Sequence, residues 1–95
     1  MTTNELRSIL ESIPQEILIY GNSSYRLQEV LFTTNRVDIN FYENSLLICF
    51  MKVLTNSTIH LAYFEDENEK PEYKDCFAAM NNTKIYLEIL GFKSI

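Results

Sequence analysis

The sequence predicts an α+β fold, a single antiparallel sheet of about five strands connected as a meander, with an N-terminal helix and one or two C-terminal helices. Three observations predict it: two long strand-like runs at 36–54, short connections between the predicted strands, and helical periodicity at both ends of the chain. Short connections favour antiparallel pairing because parallel strands need a crossover of a dozen or more residues. The chain, residues 1–95, is expected to form a single domain with one modest core.

The N-terminal segment predicts a capped amphipathic helix. Thr2 and Glu5 have the spacing of a capping box, and Pro14 is expected to end the helix. Between them, apolar residues follow the i, i+3, i+4, i+7 spacing of a helix with one buried face: Leu6, Ile9, Leu10 and Ile13.

The next segments predict a hairpin. Residues 16–20 form a short apolar run, residues 21–24 are turn formers, and a second strand is expected from Tyr25 to about Thr34. The apolar positions of that second strand change face near Glu29, which predicts a β-bulge there.

The stretch from Arg36 to Leu54 predicts a central hairpin with its turn at 43–45, where Asn44 tolerates a left-handed backbone. Residues 37–42 alternate, so one face is expected to be core and the other, with Asp38, Asn40 and Tyr42, to contact water. Residues 46–54 are apolar on both faces, which predicts cover on both sides.

The C-terminal half predicts one more strand and a broken helix. Ile59 to Glu65 is typical of a strand whose odd positions, Ile59, Leu61 and Tyr63, face the core. A helix is expected to begin at Pro71 and to be interrupted at 81–83, giving two helices with a kink, and Gly91 with Phe92 predicts a Schellman-type end.

The residue inventory predicts no catalytic, cofactor-binding or metal site, and therefore no enzyme. His60 is the only histidine, and neither Cys49 nor Cys76 has the neighbours that a metal site or a nucleophile and base pair needs. Both cysteines are expected to be buried and reduced. No phosphate-binding glycine loop or hydrolase motif is present.

The charge balance predicts the kind of partner. A formal net charge of −5 argues against direct nucleic-acid or anionic-membrane binding and favours a basic protein partner. No leader-like start and no long apolar run occur, so the expected location is the cytoplasm.

An acidic stretch is the strongest surface feature, with six acids against two lysines within the eleven residues 65–75. It is either a solvated loop whose acids favour the following helix N-terminus, or a surface that offers carboxylates to a basic groove on a partner. The predicted partner-binding residues are its acids and nearby aromatics: Glu65, Asp66, Glu67, Glu69, Glu72, Asp75, Tyr63, Phe64 and Tyr73.

A second surface depends on how the helices are arranged. The sheet face opposite the predicted core has an excess of apolar residues, namely Leu47, Cys49, Met51, Val53, Ala62 and Phe64. If the N-terminal helix covers this face, no apolar surface remains. If both helical units share the other face, this surface is exposed and marks a dimer or partner interface.

Two functional hypotheses follow. In size, acidity and a composition suggestive of an AT-rich genome, the chain resembles the general type of small phage-encoded inhibitors that includes anti-CRISPR proteins, although no motif carries the resemblance. That resemblance implies a stoichiometric inhibitor in the host-cell cytoplasm that occupies a basic surface of a nucleic-acid-handling enzyme, as a nucleic-acid mimic. The alternative is a structural or small-ligand module that self-associates as a homodimer through the second sheet face.

Overall fold

The computed structural model describes residues 1–31, 35–64 and 71–95. Its helices are α1 (Thr3–Glu11), α2 (Gln15–Leu18) and α3 (Lys74–Ile89), with a 3₁₀ turn at Pro71–Tyr73 directly before α3. Its strands are β1 (Ser23–Val30), β2 (Arg36–Glu43), β3 (Leu46–Leu54), β4 (Thr58–Tyr63) and β5 (Lys93–Ser94). The α+β class and both terminal helical units are therefore confirmed.

The five strands form one sheet in the order β1-β2-β3-β4-β5. The first four are antiparallel neighbours, but β5 pairs with β4 in parallel, so the sheet is mixed and the purely antiparallel prediction was wrong. The parallel pair is possible because α3 lies between β4 and β5 in the chain and supplies the long crossover that such a pair requires.

The helix α1 begins as predicted. The Glu5 N–H donates to Thr2 Oγ1 and the Thr2 N–H donates to Glu5 Oε1, each at 3.1 Å, which completes the capping box. Leu6 and Leu10 are fully buried on the face that packs on the sheet. The helix gains its stability from this packing because nine residues are too few for an isolated helix.

The strand predicted at 16–20 was wrong. Residues 15–18 form the short helix α2, Pro14 stands at its N-cap, and Leu18 is buried in the core. A run of three apolar residues fits a buried strand or a buried helical turn equally well, so periodicity could not decide. The following strand ends at Val30, and its predicted end at Thr34 lies outside the described residues.

The central hairpin is confirmed, with its turn at Asn44 and Ser45 in the left-handed region, φ 49° and 71°. The bulge near Glu29 was wrong, because β1 pairs with β2 in an unbroken register. The register shift lies instead between Phe41 and Tyr42, which pair with Cys49 and Leu47.

That register decides which residues form the core. Directly paired residues share a face of the sheet, so Cys49, Met51 and Val53 lie on the same side as Phe41, Ile39 and Val37. The buried cluster also contains Leu6 and Leu10 of α1 and Cys76, Ala79, Met80 and Leu87 of α3. Helices from both ends of the chain therefore pack on one face. We predicted that Cys49, Met51 and Val53 lie on the opposite face, and this was wrong, because the register places them on the face that the helices cover.

The C-terminal helix is continuous. We predicted two helices with a kink, but α3 runs unbroken through 81–83, where Asn81 and Asn82 are exposed and the Thr83 hydroxyl donates to the Ala79 carbonyl at 2.8 Å. This i−4 bond satisfies the buried hydroxyl inside the helix, so no break is needed.

The end of α3 is the predicted Schellman motif. The N–H of Gly91 donates to the Glu88 carbonyl and that of Phe92 to the Leu87 carbonyl, each at 3.0 Å, with Gly91 at φ 105°. None of the helices in the described ranges is both long and apolar enough to cross a membrane.

Candidate functional site

A concave site of about 590 Å³ lies at one end of the sheet, where the starts of β1 and α3 meet the end of β2. We call it the acidic cleft. Its lining contains three carboxylates and one ammonium group, beside an aromatic ring and small apolar surfaces: Tyr20, Asn22, Glu43, Pro71, Glu72, Lys74, Asp75 and Ala78.

Asp75 is held in place by the turn that precedes β1. Its Oδ2 accepts a hydrogen bond from the Asn22 N–H at 3.0 Å. Gly21 has a left-handed φ of +58°, and a Cβ built at this position would collide with the Asp75 carboxylate. Glycine is therefore required here for both backbone conformation and space.

Glu43 closes the other side of the cleft beside a buried thiol. The Cys76 thiol donates to Glu43 Oε2 at 3.9 Å, and burial together with the Glu43 and Asp75 carboxylates raises the pKa of Cys76 to about 11. Burial likewise raises the pKa of Cys49 to about 12. Both thiols are free, buried and protonated at neutral pH, as the structural interpretation of the two cysteines predicted.

The second candidate surface is the sheet face that none of the helices in the described ranges covers, which we call the open face. Residues opposite one another in the register place the following side chains on it: Arg26 and Gln28 of β1, Arg36, Asp38, Asn40 and Tyr42 of β2, Leu47, Phe50 and Lys52 of β3, His60 and Ala62 of β4, Phe64 just after β4, and Lys93 of β5.

The middle of the open face is a polar hollow of about 150 Å³. Asp38 and Asn40, which we predicted to contact water, are only 5% and 6% exposed because neighbouring long side chains cover them. Arg36 donates to Asp38 at 2.9 Å, and Asn40 donates to Gln28 Oε1 at 3.1 Å. Burial raises the pKa of Asp38, and the nearby Arg36 and Lys52 charges partly offset that rise.

Aromatic rings flank this hollow. Phe50 and Phe64 lie with their centroids 5.3 Å apart, and Lys52 Nζ lies 5.7 Å from the Phe50 centroid. The Arg26 guanidinium lies 5.1 Å from the centroid of Tyr42. Each of these cations is within cation–π range of a ring.

The predicted partner-binding residues are divided among several places. Glu72 and Asp75 meet in the acidic cleft, whereas Phe64 is 60% exposed beside the open face. Tyr63 is 44% exposed with its ring 5.6 Å from that of Phe77, and Tyr73 is buried in the core. Glu65, Asp66, Glu67 and Glu69 lie outside the described residues.

Sequence reasoning missed Tyr20, Asn22 and Glu43 in the cleft, which are far from Asp75 in the chain. The glycine turn before Asn22 was the one local signal, since a turn residue marks where backbone approaches closely. The polar open face had a clearer signal in the period-two spacing of Arg26 and Gln28, but only the register joins it to the residues of β2 and β3.

In the ranges 1–31, 35–64 and 71–95, no group of three or more histidine, cysteine or acidic side chains could hold a metal ion. Comparison of the chain with protein-family models, with curated proteins and with solved structures found no match. The geometry of the two surfaces therefore carries the functional argument.

Proposed function

We propose that the protein is a non-enzymatic protein-binding module, a stoichiometric inhibitor that occupies a basic, nucleic-acid-handling surface of its partner. The observation that carries the proposal is the acidic cleft, a concave site with the carboxylates of Glu43, Glu72 and Asp75 against one ammonium group, Lys74. A lysine or arginine of the partner is the side chain that this lining suits.

The lining supports both ends of such a side chain. The aliphatic stem of a lysine or arginine packs on apolar surface while its charged head stays polar, and Tyr20, Pro71 and Ala78 offer that apolar surface. Asp75 is fixed by the Asn22 N–H, so one of the three carboxylates is oriented before the partner arrives. Preorganised groups lose less freedom on binding.

The cleft is also next to the most acidic part of the sequence. Pro71 and Glu72 line the cleft, and the acids Glu65, Asp66, Glu67 and Glu69 precede them in the chain. An excess of negative charge over this length attracts a basic partner during diffusion and raises the association rate, most strongly at low salt.

The state of the two thiols supports action by contact and not by catalysis. Both thiols have raised pKa values, which removes them as nucleophiles at neutral pH. The proposal places this contact in the cytoplasm of a host cell, as expected for a phage-type inhibitor.

The test uses a partner captured on the immobilised protein from a host-cell lysate at low salt and then purified. We expect a basic nucleic-acid enzyme that is released at high salt and inhibited at a one-to-one ratio. The double variant Glu43→Gln, Glu72→Gln should slow its association about tenfold at low salt, since two charge pairs of about 0.7 kcal/mol each amount to about 1.4 kcal/mol.

The matched control removes the same charge elsewhere. Glu11→Gln with Glu88→Gln changes two exposed acids that do not line the cleft, and we expect a much smaller effect on association. Equal slowing by the two double variants, or capture that high salt leaves intact, would contradict the cleft as the binding site.

Self-association through the open face is the second candidate, favoured by the packing of the helices on one side of the sheet. A face-to-face pair would bury Arg26, Arg36 and Lys52 of both copies in one interface, where Asp38 is the one carboxylate among the described residues of each face, and this excess of like charge opposes it. A concentration-dependent dimer in light scattering, with no salt-sensitive partner, would support this candidate over the inhibitor.

A further inference from the structure

We propose that the open face binds single-stranded nucleic acid, a function that goes beyond the proposed inhibitor and shares no residue with the acidic cleft. Although the whole chain is acidic, its charges are segregated. Four cations, Arg26, Arg36, Lys52 and Lys93, share the open face with one carboxylate of the described residues, Asp38. The described residues of this face therefore carry +3, whereas the whole chain carries −5.

This segregation selects an anionic ligand. The local field of a surface is set mainly by charges within about one Debye length, roughly 8 to 10 Å, and distant acids are screened. The described residues of the open face therefore form a locally positive surface that attracts phosphate groups, even though the net charge of the chain predicts the opposite.

The aromatic rings select among anionic ligands. Tyr42, Phe50 and Phe64 lie on the same face as the cations, and Phe64 is 60% exposed. Bases of a single strand stack on such rings while cations beside the rings contact the backbone phosphates. Arg26 and Lys52 stand 5.1 Å and 5.7 Å from the centroids of Tyr42 and Phe50, so each of these rings has a cation within about 6 Å that can contact a phosphate beside a stacked base.

The polar hollow adds groups that can pair with a base edge. Of the polar residues that line it, Gln28 is exposed, and a carboxamide is a side chain that binds donor and acceptor groups of bases, whereas Asp38 and Asn40 beneath it are buried and hold Arg36 and Gln28 in place. Its volume of about 150 Å³ is on the scale of a small planar group, about five times the roughly 30 Å³ share of one water molecule.

An acidic polypeptide would use the same cations but would have no need of the rings. The open face has cations and aromatic rings side by side, so the observations favour a nucleic acid over an acidic peptide. A duplex is also a poorer ligand, because its bases are stacked on one another and cannot reach the rings.

The experiment measures fluorescence anisotropy of labelled oligo-dT and oligo-U with the full chain at low salt. We expect saturable binding whose dissociation constant rises with salt at a log–log slope of about 3, since four cations each contribute about 0.7 on a single strand. Unlabelled single strands should compete, and a duplex of the same length should compete poorly.

Two variants and two controls separate stacking from charge. Phe64→Ala should weaken binding about tenfold without changing the salt slope, as loss of one stacked base requires. Arg26→Ala should lower the slope by about 0.7. Tyr20→Ala, an exposed ring in the acidic cleft, and Lys84→Ala, a cation on α3, should leave both quantities unchanged.

Three results would overturn the proposal: no binding of either oligonucleotide at low salt, an equal loss with the two control variants, or competition by polyglutamate as effective as that by oligo-dT. The last would assign the open face to acidic polypeptides. Circular dichroism of each variant verifies the fold, and the exposure of Phe64 and Arg26 makes both replacements tolerable.

Discussion

The contact between Gly21 and Asp75 gives the sharpest test of the structure. In Gly21→Ala, the alanine must adopt the left-handed backbone conformation, which costs about 1 to 2 kcal/mol. Its methyl group must also displace the Asp75 carboxylate. Moving that carboxylate breaks its hydrogen bond from the Asn22 N–H, which contributes about 0.5 to 1.5 kcal/mol. The variant should therefore lose roughly 2 to 3 kcal/mol, or roughly 10 to 20 °C in Tm.

A double-mutant cycle measured by urea denaturation separates the two costs. In an Asp75→Ala background there is no carboxylate to displace, so Gly21→Ala should cost only the backbone strain, and the coupling should be about 1 kcal/mol. Gly91→Ala is the control, because Gly91 also has a positive φ but has open space around it, so it should be additive with Asp75→Ala. Additivity of Gly21→Ala and Asp75→Ala to within about 0.3 kcal/mol would refute the reasoning.

Three further predictions concern the helices and thiols. Thr2→Ala should lose about 1 kcal/mol of stability in urea denaturation. It should also reduce, without abolishing, an acid-range pH dependence. The Thr2 N–H, which alanine retains, and to a smaller extent the Thr2 hydroxyl lower the pKa of Glu5, so this contribution to stability is present above the unfolded pKa and is lost as pH falls through the folded one. Asn82→Ala should stabilise α3 by a few tenths of a kcal/mol because alanine is the better helix former, whereas a loss would favour a helix break there. Cys49 and Cys76 should resist a thiol reagent at pH 8 until urea unfolds the chain. The free energy of unfolding should fall as pH rises from about 9 towards 11 and 12, because the thiols ionise at lower pH in the unfolded chain than in the folded one. Fast labelling of the folded protein by the thiol reagent would contradict the burial of both cysteines.

Local signals in the sequence predicted the elements whose chemistry is local. The capping box of Thr2 and Glu5, the hairpin turn at Asn44 and Ser45, and the Gly91 helix end all form as expected, because each depends on residues within a few positions of one another. The order of the four antiparallel strands followed from short connections in the same way.

The wrong predictions concern segments whose local sequence fits two structures equally well, so that contacts with residues distant in the chain decide between them. The segment predicted as a strand at 16–20 contains instead most of the helix at 15–18, which places Leu18 in the core, and α3 is continuous because the Thr83 hydroxyl donates to the Ala79 carbonyl. The parallel strand β5 has only two residues, Lys93 and Ser94, which is too short for any periodic signal.

By itself, the sequence determined the α+β class, the capped first helix, the central hairpin and the acidity of residues 65–75. The tertiary structure alone decided which sheet face is covered, since the register that pairs Phe41 with Cys49 turns Met51 and Val53 into the core. It also brought Glu43 to Asp75 and placed the cations of the open face away from the carboxylates of the acidic cleft. The physical reason is that composition gives the total of the charges and apolar side chains, whereas strand register and helix docking fix where each of them lies.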